Sequence, residues 1–314
     1  MRLLVTIPCL NEAETIGQVI QLIPKSIKGI SQIDTLVIDD GSDDGTSSEA
    51  VKVGAKVVKH YKNLGLGKAA QTAINYAVEN EYDLMVSIDG DNQFNPLEIE
   101  SLVKPLIYDQ VNFVTGSRFI NGRSIANMPR IKKIGNKLMS YLISTLIGQT
   151  FHDVSCGFRS YDKEVLLKLN LHENFTSVQE TFLVCAAKKM NIVEVPITVT
   201  YFKNRKSRVA GSILKYALNT LGIILSGYRD YFPLRFFWSI AFFFFVPGLI
   251  FGAIFIGHYF ITGVFTGFLF AGFTSAFLFG LTVVFLILGI LAAMLDRIRL
   301  NQERILYYLK KIKK

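Results

Sequence analysis

The chain has 314 residues, 50% of them hydrophobic, and its 34 Lys and Arg against 25 Asp and Glu give a formal net charge of +9. Three scattered cysteines, Cys9, Cys156 and Cys185, exclude a disulfide framework and suit reduced thiols in the cytoplasm. The 60 consecutive residues 236–295 contain no Asp, Glu, Lys or Arg, which excludes an ordinary soluble chain and splits the sequence into a soluble part and a membrane part.

The first apolar run, residues 3–7, reads as a short strand. Asn11 and Glu12 come soon after it, so no secretory signal is expected. Residues 14–23 place Ile16, Val19, Ile20 and Ile23 on one helical face. Strand readings then fall on 34–39, 55–60, 83–88 and 112–115, with helices at 67–80 and 96–107 between them. Such alternation predicts an α/β fold with a mainly parallel, Rossmann-like sheet covered by helices on both faces. Ligands of these sheets bind outside the carboxyl ends of the strands. Pro8, Asn11 and Glu12 follow the first strand there, Asp39 and Asp40 end the second, Asn63 and Gly65 follow the third, and Asp89, Asp91 and Gln93 end the fourth.

Carboxylates and amides so gathered suit a hard divalent cation. Mg²⁺ usually keeps one or two protein carboxylates and takes its other oxygens from substrate phosphates, so the pattern asks for a phosphorylated substrate. The glycine-rich NLGLGKAA at 63–70 fails the nucleotide P-loop spacing, and no dinucleotide-type glycine motif follows the first strand. Kinase and dehydrogenase readings lose ground accordingly.

Two further segments, 134–147 and 213–227, are apolar around much of their circumference but too short or too polar to span a bilayer. They read as interfacial amphipathic helices. Transmembrane helices are expected at about 236–258 and 271–295, and the tail 296–314 carries seven Lys and Arg while the inter-helix loop carries none. The positive-inside rule then puts the N-terminal domain and the tail in the cytoplasm. The positive charge reads as attraction to an anionic leaflet, with no nucleic-acid partner.

Taken together, IPCLNE at 7–12, VIDDGSDDGT at 37–46, NLGLGKA at 63–69, SIDGDNQ at 87–93, GSRF at 116–119, DVSCGFR at 153–159 and RKSR at 205–208 resemble the family 2 glycosyltransferases. Within them the chain is similar to the polyprenyl-phosphate glycosyltransferases, typified by dolichol-phosphate mannose synthase. The resemblance implies a GT-A catalytic domain over 1–210 with an interfacial helix at about 130–147, a second interfacial helix within 211–235, two membrane helices within 236–295 and a basic tail. It also implies transfer of one sugar, with inversion, from a nucleotide sugar of UDP-glucose or GDP-mannose type to a dolichyl or undecaprenyl phosphate. A different lipid or glycan acceptor is the alternative.

Carried over by position, Pro8, Asn11, Glu12 and Asp40 would line the base and ribose pocket, and Asp39 and Asp89 would help hold the nucleoside. Asp91 and Gln93, with Asp89, would hold Mg²⁺ or Mn²⁺. Asp91, Arg118, Arg130 and Asp153 are the expected catalytic set. Arg118, Arg130, Lys133, Arg205, Ser207 and Arg208 would receive the acceptor phosphate. A phosphate monoester, with a second pKa of about 6, is anionic at neutral pH and needs no dedicated base. The basic loop departs from the family's R-x-x-G-x-S-K, with Lys206 where glycine is common and Arg208 for lysine. The Q/R-x-x-R-W motif of processive synthases is missing, which favours a single transfer at the plasma membrane; a homo-oligomer is left open.

Overall fold

A computed structural model describes residues 1–120, 128, 130–171, 177–201 and 213–312. The chain divides into two units, Met1–Gly227 with Leu306–Lys314, and Tyr228–Ile305.

The first unit is built on seven strands, β1 Arg2–Cys9, β2 Gln32–Asp39, β3 Lys56–Lys59, β4 Leu84–Ser87, β5 Phe113–Ser117, β6 Arg159–Asp162 and β7 Ile192–Pro196. They lie in the order β3-β2-β1-β4-β6-β5-β7. All neighbours are parallel except β6, which runs antiparallel to both β4 and β5. Helices on both faces explain why Leu3, Leu4 and Val5 are consecutive and fully buried, for a strand covered on both sides has no polar face. Each such side chain contributes about 1.5–3 kcal/mol on burial.

The first four strands and their helices, α1 Ala13–Gln21, α3 Leu66–Glu79 and α4 Ile99–Tyr108, agree with the periodicity to within a few residues. Between β2 and β3 lies a short α2, Thr46–Lys52, that periodicity does not predict, because two helical turns of TSSEAVK carry too few apolar residues to show a period. β6, α6 Lys163–Lys168 and β7 are likewise not among the predicted elements. Beyond β5 lie α5 Arg130–Ile147 and α7 Val178–Ala187, and α8 is Ile213–Tyr231.

The second unit is dominated by α9, Pro233–Thr262, and α10, Leu269–Ile312. Both are long and apolar enough to cross a membrane, and only 11% of the most apolar window of each is buried. Phe242, Phe243, Phe273 and Phe277 are among the uncovered side chains, an arrangement that suits lipid and not water. The chain is therefore a membrane protein. Inside the hairpin the Ser275 hydroxyl donates to the Gly248 carbonyl at 2.8 Å. Helix α10 does not stop at residue 295: it continues unbroken through most of the predicted tail, and its residues from Leu306 belong to the first unit.

Candidate active site

The carboxyl ends of β1 to β4 converge, as the topology requires, but most of their acidic groups are engaged by the protein itself. Asn11 adopts a left-handed conformation, φ 55°, and its backbone N–H donates to Ser42 Oγ at 2.9 Å while its Oδ1 accepts from the Asp43 N–H at 3.0 Å. The Glu12 N–H donates to Thr46 Oγ1 at 2.8 Å, and the Thr15 hydroxyl, 3.2 Å from Glu12 Oε2, donates to the Gly90 carbonyl at 2.7 Å. These bonds stitch the loop after β1 to the loops after β2 and β4.

Asp39 is fully buried, accepting from the Ser42 N–H at 2.7 Å and from the Ser47 hydroxyl, with Lys59 Nζ 3.7 Å away. Burial alone would raise its pKa, but the Ser42 and Ser47 hydrogen bonds and the Lys59 charge prevail and hold it below the usual aspartate value. Asp40 accepts from the Leu64 and Gly65 N–H groups at 2.9 and 2.8 Å and pairs with His60 Nδ1 at 2.7 Å. The Asp40 carboxylate, expected in the base and ribose pocket, shapes the glycine loop after β3. That loop passes so near Gly41, φ +85°, that a Cβ there would sit 2.5 Å from the Lys62 carbonyl carbon.

At the end of β4, Asp89 and Pro8 line a cavity of about 30 Å³ with Leu66, Ser87 and Arg159. Gly157 faces the Asp89 carboxylate, and a Cβ there would stand 2.9 Å from its Oδ1. Burial first, then the charges of Asp91 and Glu12, raise the Asp89 pKa to about 7 against the opposing pull of Arg118 and Arg159. Asp91 Oδ1 accepts from the Gln93 N–H at 3.0 Å, a local turn with Asn92 in the left-handed region, φ 57°. The Gln93 carbonyl accepts from the Thr200 N–H at 2.9 Å, and Phe94 bridges Val199.

Among the described residues no three His, Cys, Asp or Glu side chains form a complete metal cage. Asp89 and Asp91 do repel each other strongly enough to lift a pKa, which is the electrostatic signature of a place where a cation is favoured. The two carboxylates therefore fit a divalent ion that draws its remaining oxygens from phosphates.

The second half of the site centres on Asp153, which is wholly buried. Arg118 at the end of β5 grips it in bidentate fashion, Nε to Oδ2 at 2.6 Å and Nη2 to Oδ1 at 2.8 Å, and its Nη1 donates to Tyr201 Oη at 2.9 Å. Arg118, expected to receive the acceptor phosphate, gives most of its guanidinium to Asp153 and Tyr201, because a buried carboxylate must be paired. The pairing raises the arginine pKa further. Asp153 is in turn placed by Glu194 on β7, whose Oε1 accepts the Asp153 N–H at 2.8 Å and whose Oε2 accepts both the N–H and Nδ1 of His152 at 2.8 Å.

Arg130 opens α5. Lys133 and Lys137 line a groove of about 610 Å³ between α5 and residues 148–152, together with Phe119, Tyr141 and His152. Arg205, Ser207 and Arg208 lie outside the described residues. Four residues to which the sequence reading gives no role matter here: His60, Arg159, Glu194 and Tyr201. Arg159 is buried among backbone carbonyls, donating to Cys156 and Val178 at 2.7 Å each, with the Phe113 and Phe182 rings 5.4 and 5.0 Å from its guanidinium carbon. Only its place in SCGFR, at the head of β6, could have drawn attention to it.

Known proteins share this framework. The chain is 29% identical over 222 residues to a UDP-N-acetylglucosamine–dolichyl-phosphate N-acetylglucosaminyltransferase of Methanococcus voltae, covering 64% of this chain and 87% of that one. It is 27% identical to a polyprenol monophosphomannose synthase of Mycolicibacterium smegmatis, covering 69% and 84%. Among solved structures, glucosyl-3-phosphoglycerate synthase from Mycobacterium tuberculosis, in complex with Mn²⁺, UDP and glucosyl-3-phosphoglycerate, superposes with a TM-score of 0.56 at 21% identity over 72% of this chain and 79% of that one. Residues 4–169 match the profile described as glycosyl transferase family 2. That match covers more than half of the chain and takes in β1 to β6 with the Asp89–Gln93 and Arg118–Asp153 clusters, and by it this protein belongs to glycosyl transferase family 2.

Proposed function

We propose that the protein transfers a single hexose from a nucleotide sugar to a polyprenyl phosphate, inverting the anomeric centre. The observation that carries the acceptor class is α5: Ile131, Ile134, Leu138 and Tyr141 are 53%, 68%, 61% and 71% exposed at three- and four-residue intervals. Such a stripe, flanked by Lys132, Lys133 and Lys137, fits the boundary between lipid headgroups and acyl chains. The groove beside it offers Lys133 and Lys137 to a phosphate and Phe119, Tyr141 and Phe151 to a hydrocarbon chain, and it reaches His152, next to Asp153. The relatives named for dolichyl phosphate and polyprenol support the same class of acceptor.

On this reading an acceptor phosphate oxygen attacks the anomeric carbon, and the bond to the nucleoside diphosphate breaks with its electron pair. Asp91 and Gln93, with Asp89, would hold the divalent ion, which as a Lewis acid stabilises the departing diphosphate. Asn11 and Glu12 border the donor end. The lysines of α5 bring in an already anionic nucleophile, so positioning and electrostatics carry the reaction. Asp153 keeps Arg118 in place between the donor carboxylates and the groove. The uncharged α9–α10 loop and the basic residues after residue 295 support a cytoplasmic site.

The test is incubation of the membrane-embedded protein with labelled UDP- and GDP-sugars, a polyprenyl phosphate and Mg²⁺ or Mn²⁺. An acid-labile lipid-linked monosaccharide of inverted anomeric configuration is expected. A water-soluble glycoside, or no lipid product with any donor, overturns the reading.

A further inference from the structure

The last turns of α10 make a contact that neither the sheet nor the proposed transfer accounts for. Tyr307 and Lys310, three residues apart, are partly buried, whereas Tyr308, Leu309 and Ile312 on the other faces are exposed. Tyr307 Oη lies 3.2 Å from Glu164 Oε2 on α6. Lys310 Nζ donates to Asn170 Oδ1 at 2.8 Å and to the Leu169 carbonyl at 3.3 Å. Lys188 reaches the same place from beyond α7 and donates to the Lys168 carbonyl at 2.5 Å. Two ammonium groups thus serve the unsatisfied carbonyl end of α6, where positive charge is favoured.

The residues just beyond α6 connect this contact to the donor end of the site. One residue past Asn170, the Leu171 N–H donates to Gln71 Oε1 of α3 at 2.6 Å. Leu171 also walls the cavity that contains Asp89, together with Leu66, Ala70 and Ile74 of α3. A continuous set of bonds therefore runs from Lys310 through residues 169–171 to the cavity wall.

We propose that Lys310 and Tyr307 are positioning residues, by which the end of the second membrane helix holds residues 169–171 against α3 and so sets the wall of the Asp89 cavity. They touch no reacting atom. Their effect falls on the nucleotide-sugar end of the reaction, since the α5 groove has no residue in common with this set of bonds. Lys310 can act in this way only if the Asp89 cavity belongs to the transferase site proposed above.

The test compares the full-length protein with Lys310→Met, Tyr307→Phe, the double variant and Lys310→Arg, each quantified in membranes. The KM for the nucleotide sugar is expected to rise roughly threefold to tenfold in Lys310→Met and further in the double variant, with the KM for polyprenyl phosphate unchanged. Lys310→Arg restores most of the loss, because a cation again reaches the carbonyls. Equal changes in both KM values, an unchanged donor KM in the double variant, or a melting temperature that falls without a kinetic split overturns the proposal. Failure of the unaltered protein to transfer any sugar would instead count against the transferase reading itself.

Discussion

The two halves of the site differ in where their positive charge stands. At the ends of β1 to β4, Asp39, Asp40 and Asp91 each accept at least one backbone N–H, so that carboxylates shape the loops around the donor end. At β5 to β7 and α5, Asp153 and Glu194 also accept backbone N–H groups, but Asp153 is paired in addition with the Arg118 guanidinium, which reaches on to Tyr201, and Lys133 and Lys137 stand on a groove wall. Backbone-anchored acids give a rigid receptor for a diphosphate of fixed shape. Lysines on an interfacial helix suit an anion that arrives by diffusion within a lipid leaflet. On the proposed reading, precision is built where the leaving group departs, and tolerance where a long, flexible substrate enters.

The largest effect that tests this contrast should come from Asp91→Ala. Loss of a carboxylate beside the diphosphate should lower transfer about a thousandfold and abolish the thermal stabilisation by Mn²⁺ with nucleotide; unaltered activity would falsify the metal assignment. Next comes Asp153→Asn, which leaves Arg118 partly buried and without its anion. Breaking such a pair costs about 3–5 kcal/mol, so a marked fall in melting temperature should accompany the loss of turnover. A variant that kept full stability would show that Arg118 finds another partner and that the pair is not what organises this half.

Smaller consequences are expected on the groove wall. Lys133→Gln with Lys137→Gln should raise the KM for polyprenyl phosphate several-fold with little change in the donor KM, and added salt should narrow the gap from the unaltered protein. A change confined to the donor would reverse the assignment of the two halves. The smallest effect concerns pH. Asp39 has a folded pKa below its unfolded value, so it contributes stability that is fully present above about pH 4 and is lost as pH falls through the folded value. Unfolding measured from pH 5 downward should show that loss in the unaltered protein and a flatter curve in Asp39→Asn.

Much of the first half is legible in the sequence because its signals are local. Apolar runs of four to six residues, turn residues after them and acids at fixed offsets place β1 to β4 and their succeeding loops. The second half depends on pairings that spacing does not encode. Nothing in RSYD shows that β6 inserts antiparallel between β4 and β5, and four residues with so few apolar side chains show little period. The partnership of Arg118 with Asp153 joins residues 35 apart, and Glu194 reaches Asp153 across 41. An arginine in GSRF therefore reads, from charge alone, as a phosphate clamp. Its pairing with a buried carboxylate is visible only in three dimensions.

The unbroken course of α10 carries a final consequence, which concerns phase. An α-helix advances about 100° of rotation for each residue. Exchanging Leu309 and Lys310 would therefore carry the ammonium group about a quarter of a turn around the helix and away from the end of α6, with composition unchanged. The order of residues within these last turns is thus under a rotational constraint that an unstructured tail of the same composition would not have.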